Sequence, residues 1–187
     1  MGRGVEDAAP GRDVPPLIRQ LLSVAVLPFT VTVLVPIWIA RSYGATFSVP
    51  ETSLGWISTL VSVSFLLGGF TVFLACVLRF ADDGRGTLAP WDPPTRLVIR
   101  GPYRWVRNPM ITGVSLLLLG EGLALRSLPH FVWAGCFIAA NAIYIPLFEE
   151  PGLAERFGDD YRRYCERVPR LVPLLRPWRA DGEPPAA

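Results

Sequence analysis

Residues 101–113 read GPYRWVRNPMITG. The stretch closes a polar, arginine-rich loop and opens a long apolar segment, so it marks a crossing from water into a greasy surrounding. Asn108 followed by Pro109 is a well-formed helix start, because an Asn side chain accepts from an orphan N–H of the first turn and proline fits the first helical position. Downstream, residues 109–125 are apolar apart from Glu121, and residues 127–148 are interrupted only by His130. The connection at Arg126 and Ser127 is too short for anything but an antiparallel return, which makes the two segments a helical hairpin. A hairpin brings its open ends to one face. Arg107 and Asn108 stand at one of those ends and Glu149 and Glu150 at the other.

Two further uncharged runs precede this hairpin. Residues 21–40 and 52–78 each reach the roughly 20 residues that a spanning helix needs. Pro28 and Pro36 are expected to kink the first, and Gly68 with Gly69 offers the second a surface for close helix packing. Hydrophobic residues make up 51% of the chain and charged residues 18%, gathered into separate blocks. That pattern belongs to an integral membrane protein. The expected fold is therefore all-α: an integral membrane bundle of about four transmembrane helices (17–41, 52–78, 109–125 and 127–149) with a C-terminal amphipathic helix at 150–168. Residues 17–178 form one domain, and the polar Gly/Pro-rich ends, 1–16 and 179–187, are expected to be disordered.

Charge orients the bundle. All eighteen basic residues are arginines, concentrated before the first span, in the long loop 79–107 and in the tail. The other two connectors carry only Arg41 and Arg126, so the positive-inside rule places both termini and the long loop in the cytoplasm. Trp91, Tyr103 and Trp105 in that loop suit the headgroup layer. A net charge of +2 argues against nucleic acid as a partner. Cys76, Cys136 and Cys165 form no ligand spacing and there is one histidine, so a metal site is not expected.

The polar residues at the hairpin's open end are the candidates for chemistry. A carboxylate at the edge of hydrocarbon is costly to desolvate and needs a cationic or hydrogen-bonding partner. Adjacent helical residues point about 100° apart, so one of Glu149 and Glu150 can face a pocket while the other pairs with a tail arginine. The plain alternative is that both rest in the headgroup layer beside arginines. Glu121 lies thirteen residues past Asn108, roughly 20 Å along the helix, and reads as an interfacial carboxylate near Arg126. His130 reads as an outer-surface residue. Beyond the span, Leu153, Phe157, Tyr161 and Tyr164 form a stripe that would lie on the membrane or fold back over the bundle.

The segments GPYRWVRNPMITG and EEPGLAERFGDDYRRYCERVPRLVP together resemble the isoprenylcysteine carboxyl methyltransferase and phospholipid methyltransferase superfamily. The shared pattern is an Arg-Asn-Pro-Met element, an apolar helix, a Glu-Glu pair, then Phe-Gly, Tyr, Tyr and Val-Pro-Arg. It runs from Gly101 to Pro173. The resemblance implies that S-adenosylmethionine is bound by Asn108, Pro109, Met110, Gly113, Glu149 and Glu150 under a roof made by the tail. It implies that Arg107 acts at the reacting end by a bidentate contact with a carboxylate of donor or acceptor. The implied acceptor is a lipophilic or small carboxylate, amine or thiol reaching the site from the membrane. Two departures stand out: Asn108 where many members have His, and Ile111 where a Tyr is usual. The alternatives are a sterol-reductase-type membrane enzyme using a nicotinamide cofactor, which would need loop signatures this chain lacks, and a non-catalytic scaffold with the same fold.

Overall fold

Proline decides the local geometry at two places in this chain. The computed structural model describes residues 26–83, 97 and 99–178, all in helices and connectors with no β-strand among them. The expected disordered ends, the start of the first helix and Trp91 lie outside the described residues. Helix α1 is Val26–Tyr43, and within it Thr30–Leu34 form a π-turn. The Val35 N–H reaches back to Thr30 O, five residues away. The reason is Pro36, whose ring would collide with the carbonyl four residues earlier and which has no N–H to give. Widening the turn relieves the collision and strands the Val31 carbonyl, whose partner five residues on would be that proline. Trp133 Nε1 supplies the missing donor at 3.1 Å. The same device recurs at Ile145–Glu149, where the Glu150 N–H bonds to Ile145 O and Pro151 follows.

Helix α2, Ser53–Asp83, starts at Thr52, whose hydroxyl oxygen accepts from the Gly55 N–H at 3.1 Å. Helix α3, Pro109–Leu125, lies against it almost backbone to backbone. A Cβ built on Gly69 would stand 2.7 Å from Gly113 O and 2.9 Å from Leu117 N. About two turns along, Ser62 Oγ donates to Gly120 O at 2.9 Å. Gly69 thus makes the close contact expected of the glycine pair, whereas Gly68 has nothing within 4 Å.

At the far end of α3 the chain reverses on Arg126, which takes a left-handed conformation at φ 46°. Helix α4 is Leu128–Tyr144. It continues through the second π-turn into α5, Glu150–Arg167, which is broken by a kink at Gly158, where the backbone leaves the helical region (φ 56°, ψ −131°). Val114 and Leu118 of α3 and Ala134 of α4 are buried together, with Val31 of α1 packed on them.

Among the described residues, three helices are long and apolar enough to cross a membrane, and α3 is a fourth, shorter apolar helix. The chain is a membrane protein of all-α architecture. At about 25 Å, α3 falls short of the roughly 30 Å hydrocarbon core, and it is flanked by α2 and α4.

Three sequence expectations need correction. His130 is buried rather than on an outer surface: its Nε2–H donates to Pro36 O at 3.2 Å, and Nδ1 accepts from Ser127 Oγ at 2.8 Å. Glu121 does not pair with Arg126, whose guanidinium turns instead to Ser48 Oγ at 3.0 Å. Glu121 Oε2 is buried without a hydrogen-bond partner among the described residues. Asn108 precedes α3 but makes no side-chain cap, because its amide is drawn elsewhere, as described next.

Candidate functional site

The open end of the α3–α4 hairpin carries a knot of charge centred on Glu150. Its Oε1 accepts from Arg107 Nη1 at 2.9 Å and from Arg170 Nε at 2.8 Å, and its Oε2 accepts from Arg170 Nη2 at 2.7 Å. Arg170 thus grips the carboxylate with both prongs of its fork, the geometry in which guanidinium outperforms ammonium. The side chains are largely enclosed, at 12% exposure for Arg107 and 17% for Glu150, so the attraction is only partly screened by water. The bonds to Glu150 push the Arg170 guanidinium above its ordinary value. Arg107 Nη1 also donates to Cys165 Sγ at 2.8 Å, while Arg107 Nε is buried with no partner among the described residues.

Arg170 belongs to no helix. Residues 168–178 form an irregular strap that runs back along the entry to α3. The Arg107 N–H donates to Pro169 O at 2.8 Å, and the Asn108 N–H to Arg170 O at 3.2 Å. Further along, the Leu174 N–H donates to Trp105 O and the Trp178 N–H to Arg104 O, each at 2.8 Å. The Thr112 hydroxyl is shared between Asn108 O and Leu171 O. Asn108 Nδ2 points to Arg170 O at 3.4 Å, which is why its side chain is absent from the helix cap.

The aromatic stripe of α5 closes over the strap. Tyr161, Tyr164 and Val168 are buried together, and Leu97, Ile99, Leu153, Phe157, Leu174 and Trp178 pack around them. Of the two arrangements open to the stripe, the second holds: it folds back on the protein's own loop and strap. Tyr164 donates its hydroxyl hydrogen to Tyr103 O at 2.6 Å. Tyr103 is half-buried rather than loose among headgroups. Burial first, then neighbouring Cys76, Tyr164 and Glu149, push its phenol well above the ordinary value.

Of the residues singled out from sequence, the structure joins Arg107 to Glu150 and ties Asn108 to the strap. Pro109 is buried at the first turn of α3 and Met110 is half-buried beside it. Gly113 stands apart from the knot, against α2, where a Cβ would meet Gly69 O at 3.0 Å and Phe73 N at 3.1 Å. Glu149 is exposed and makes no hydrogen bond among the described residues. Sequence reasoning expected a tail arginine on one glutamate without saying which, and Arg170 is that residue; it passed over Cys165 and Thr112. Arg170 and Cys165 lay inside the quoted tail motif, but nothing in their spacing pointed at Glu150.

Two recesses bear on where a ligand would sit. One of about 270 Å³ is lined by Pro146, Glu150, Pro151, Ala154, Tyr161 and Cys165, directly at the charge knot. A larger one of about 660 Å³ lies at the opposite end of the hairpin, between residues 48–58 and Arg126. Its guanidinium is already engaged with Ser48. Size alone favours the second, which is lined by Glu51, but the first adjoins the Glu150 carboxylate held by two guanidinium groups, with the Cys165 thiol beside it. That combination can hold a zwitterionic or polyhydroxylated ligand at an apolar boundary.

Comparison with known proteins identifies the family. Residues 57–160 match the phospholipid methyltransferase family, from the first turn of α2 to the bend in α5. The chain belongs to this family. A methanethiol S-methyltransferase of Pseudomonas deceptionensis is 32% identical over 126 residues, covering 66% of this chain. The match covers 44% of that relative, so this chain spans less than half of its length. The family match takes in Arg107, Asn108 and both glutamates but ends at Asp160, before the strap and Arg170.

Proposed function

We propose that this protein transfers a methyl group from S-adenosylmethionine to a small or lipophilic acceptor at the membrane face that carries the strap. The observation that carries the reading is the unequal state of two adjacent carboxylates. Glu150 is saturated by Arg107 and Arg170, and Glu149 beside it is exposed and unbonded among the described residues. A charged group left free at an apolar boundary is a standing cost unless a ligand meets it.

The residues fit the donor's chemistry. Glu149 would accept from ribose hydroxyls or the amino group, and Arg107 Nε, buried without a partner, would give an N–H to a carboxylate. When bound, S-adenosylmethionine supplies a sulfonium methyl whose leaving group needs no covalent nucleophile from the protein. The protein's own share is to align the partners and exclude water. Pro109 and Met110 would form the floor, and the strap with its buried tyrosines the roof. Gly113 is left to the α2 contact. Membership in a phospholipid methyltransferase family and a relative named for methanethiol both support a small or lipid-borne nucleophile, an amine or a thiol ahead of a carboxylate. The arginine distribution supports a cytoplasmic site with both termini on the same side.

The test is calorimetry in lipid nanodiscs with S-adenosylhomocysteine and, separately, a nicotinamide dinucleotide. Wild type should bind the first and not the second. Glu149→Gln should weaken binding about ten- to a hundredfold, the loss of one charge-assisted hydrogen bond, with an unchanged melting temperature. Nicotinamide binding in its place would favour the reductase reading. Equal binding by wild type and Glu149→Gln would sink the assignment of that carboxylate.

A further inference from the structure

We propose that Arg170 is a positioning residue of the donor site, acting through Glu150 to hold the strap shut and to leave Glu149 as the carboxylate presented to ligand. The proposal rests on the donor-site reading above and assigns a task to a residue outside the span of the family match.

The argument starts from what keeps an irregular segment in place. Residues 168–178 have no helical ladder, so their order comes from bonds to neighbours. Four of these are backbone bonds to residues 104–108, and they fix the strap along the entry to α3. They do not fix it to the π-turn where α4 passes into α5. That link is made by Arg170 and Glu150, the strap's one ion pair among the described residues. Apolar packing of Val168, Leu174 and Trp178 joins the strap to α5 from Leu153 onward, without engaging either carboxylate.

The π-turn gives this link its leverage. One extra residue in the turn changes the direction in which the side chains after it leave the helix. Glu149 ends that turn and Glu150 opens the next helix, so the direction of both follows from how the turn is seated. A two-pronged grip on Glu150 fixes its orientation as a single bond would not, and the adjacent carboxylate must then point about 100° away. Arg107 is the third party. It shares Oε1 with Arg170, and both main-chain bonds that place Arg107 and Asn108 run to Pro169 and Arg170. One residue therefore sets the strap, the aim of the glutamate pair and the seat of Arg107.

The experiment compares full-length Arg170→Gln, Arg170→Lys, Glu150→Gln and the double Arg170→Gln/Glu150→Gln in nanodiscs, titrated with S-adenosylhomocysteine. Affinity and stoichiometry are read separately. A merely structural role would lower the fraction of competent protein and leave the Kd of that fraction unchanged. Positioning should raise Kd about tenfold in Arg170→Gln at full stoichiometry, and about threefold in Arg170→Lys, which keeps the charge and loses the fork. The double variant should bind no more weakly than Glu150→Gln alone, since both changes undo one link. An unchanged Kd in Arg170→Gln, a loss confined to stoichiometry, or additive losses in the double variant would each overturn the proposal. If wild type binds no S-adenosylhomocysteine, the donor reading fails, and the clasp is then judged by amide exchange without ligand. Faster exchange at Arg107 and Asn108 in Arg170→Gln upholds the clasp, and unchanged protection removes it.

Discussion

The helix seams of this protein and its strap end are held by different forces. Between α2 and α3 the contact is glycine on backbone, with Ser62 satisfying Gly120 O. Between α1 and α4, Trp133 and His130 give their ring N–H groups to Val31 O and Pro36 O. Every one of these bonds is neutral, and each satisfies a carbonyl that lipid could not. At the strap end ionic bonds join the neutral main-chain ones, and together they leave Arg107 Nε and Glu149 with unused capacity among the described residues. The difference teaches where to look for function in a membrane chain: not where polar groups are buried, but where they remain open after the fold has used what it needs.

The largest expected effect comes from breaking a seam. Gly69→Leu must push α2 off Gly113 and Leu117, because the obstacles are backbone atoms that cannot rotate away. Overpacking of that kind costs about 3 kcal/mol or more. The variant should fail to give a monodisperse folded protein in detergent and should lose ligand binding with it. A variant that melts like wild type would show that the seam is looser than its glycines imply.

A smaller effect separates the two regions. Trp133→Phe keeps the ring and removes the donor to Val31 O, leaving a carbonyl stranded between two prolines of α1. The cost is about 1 kcal/mol, since hydrogen bonds inside membranes are worth little more than those in water. Thermal unfolding should record that loss while S-adenosylhomocysteine affinity stays at the wild-type value. A change in affinity would mean that the seams and the strap end are coupled, and that the contrast drawn between them is too sharp.

Much of this architecture was legible in the sequence, and what was not has physical causes. The hairpin followed from two apolar runs and a connection too short for any other return. The meeting of Arg107 with the glutamate pair followed from the hairpin. The π-turns are harder to read, although both have the same signature, a proline directly after the N–H that closes the turn: Val35 then Pro36, and Glu150 then Pro151. His130 was misplaced because its partner is a main-chain carbonyl in another helix, and carbonyls leave no mark in a sequence. A tail arginine on one glutamate was expected, but that it would be Arg170 was hidden for a related reason. It lies twenty residues past Glu150 on an irregular strap, so no helical or strand period connects the two. Asn108 stood where a cap should be, and only the strap's path explains why its side chain does something else.

The smallest expected effect is the most discriminating for the seam. Gly68 and Gly69 are neighbours in sequence and in helix type, and they differ in what lies beyond them. A Cβ on Gly69 would fall 2.7 Å from Gly113 O, whereas one on Gly68 would have nothing within 4 Å. In a helix interior alanine is preferred to glycine by about 0.8–1 kcal/mol, through backbone entropy alone. Gly68→Ala should therefore be neutral or slightly stabilising, by less than about 1 kcal/mol, and Gly69→Ala should be destabilising despite the same gain in propensity. Unfolding of both variants side by side in the same detergent measures the pair. A loss in Gly68→Ala equal to that in Gly69→Ala would mean that something outside the single chain covers this face of α2, and the open side of the helix would then have to be counted as a third seam.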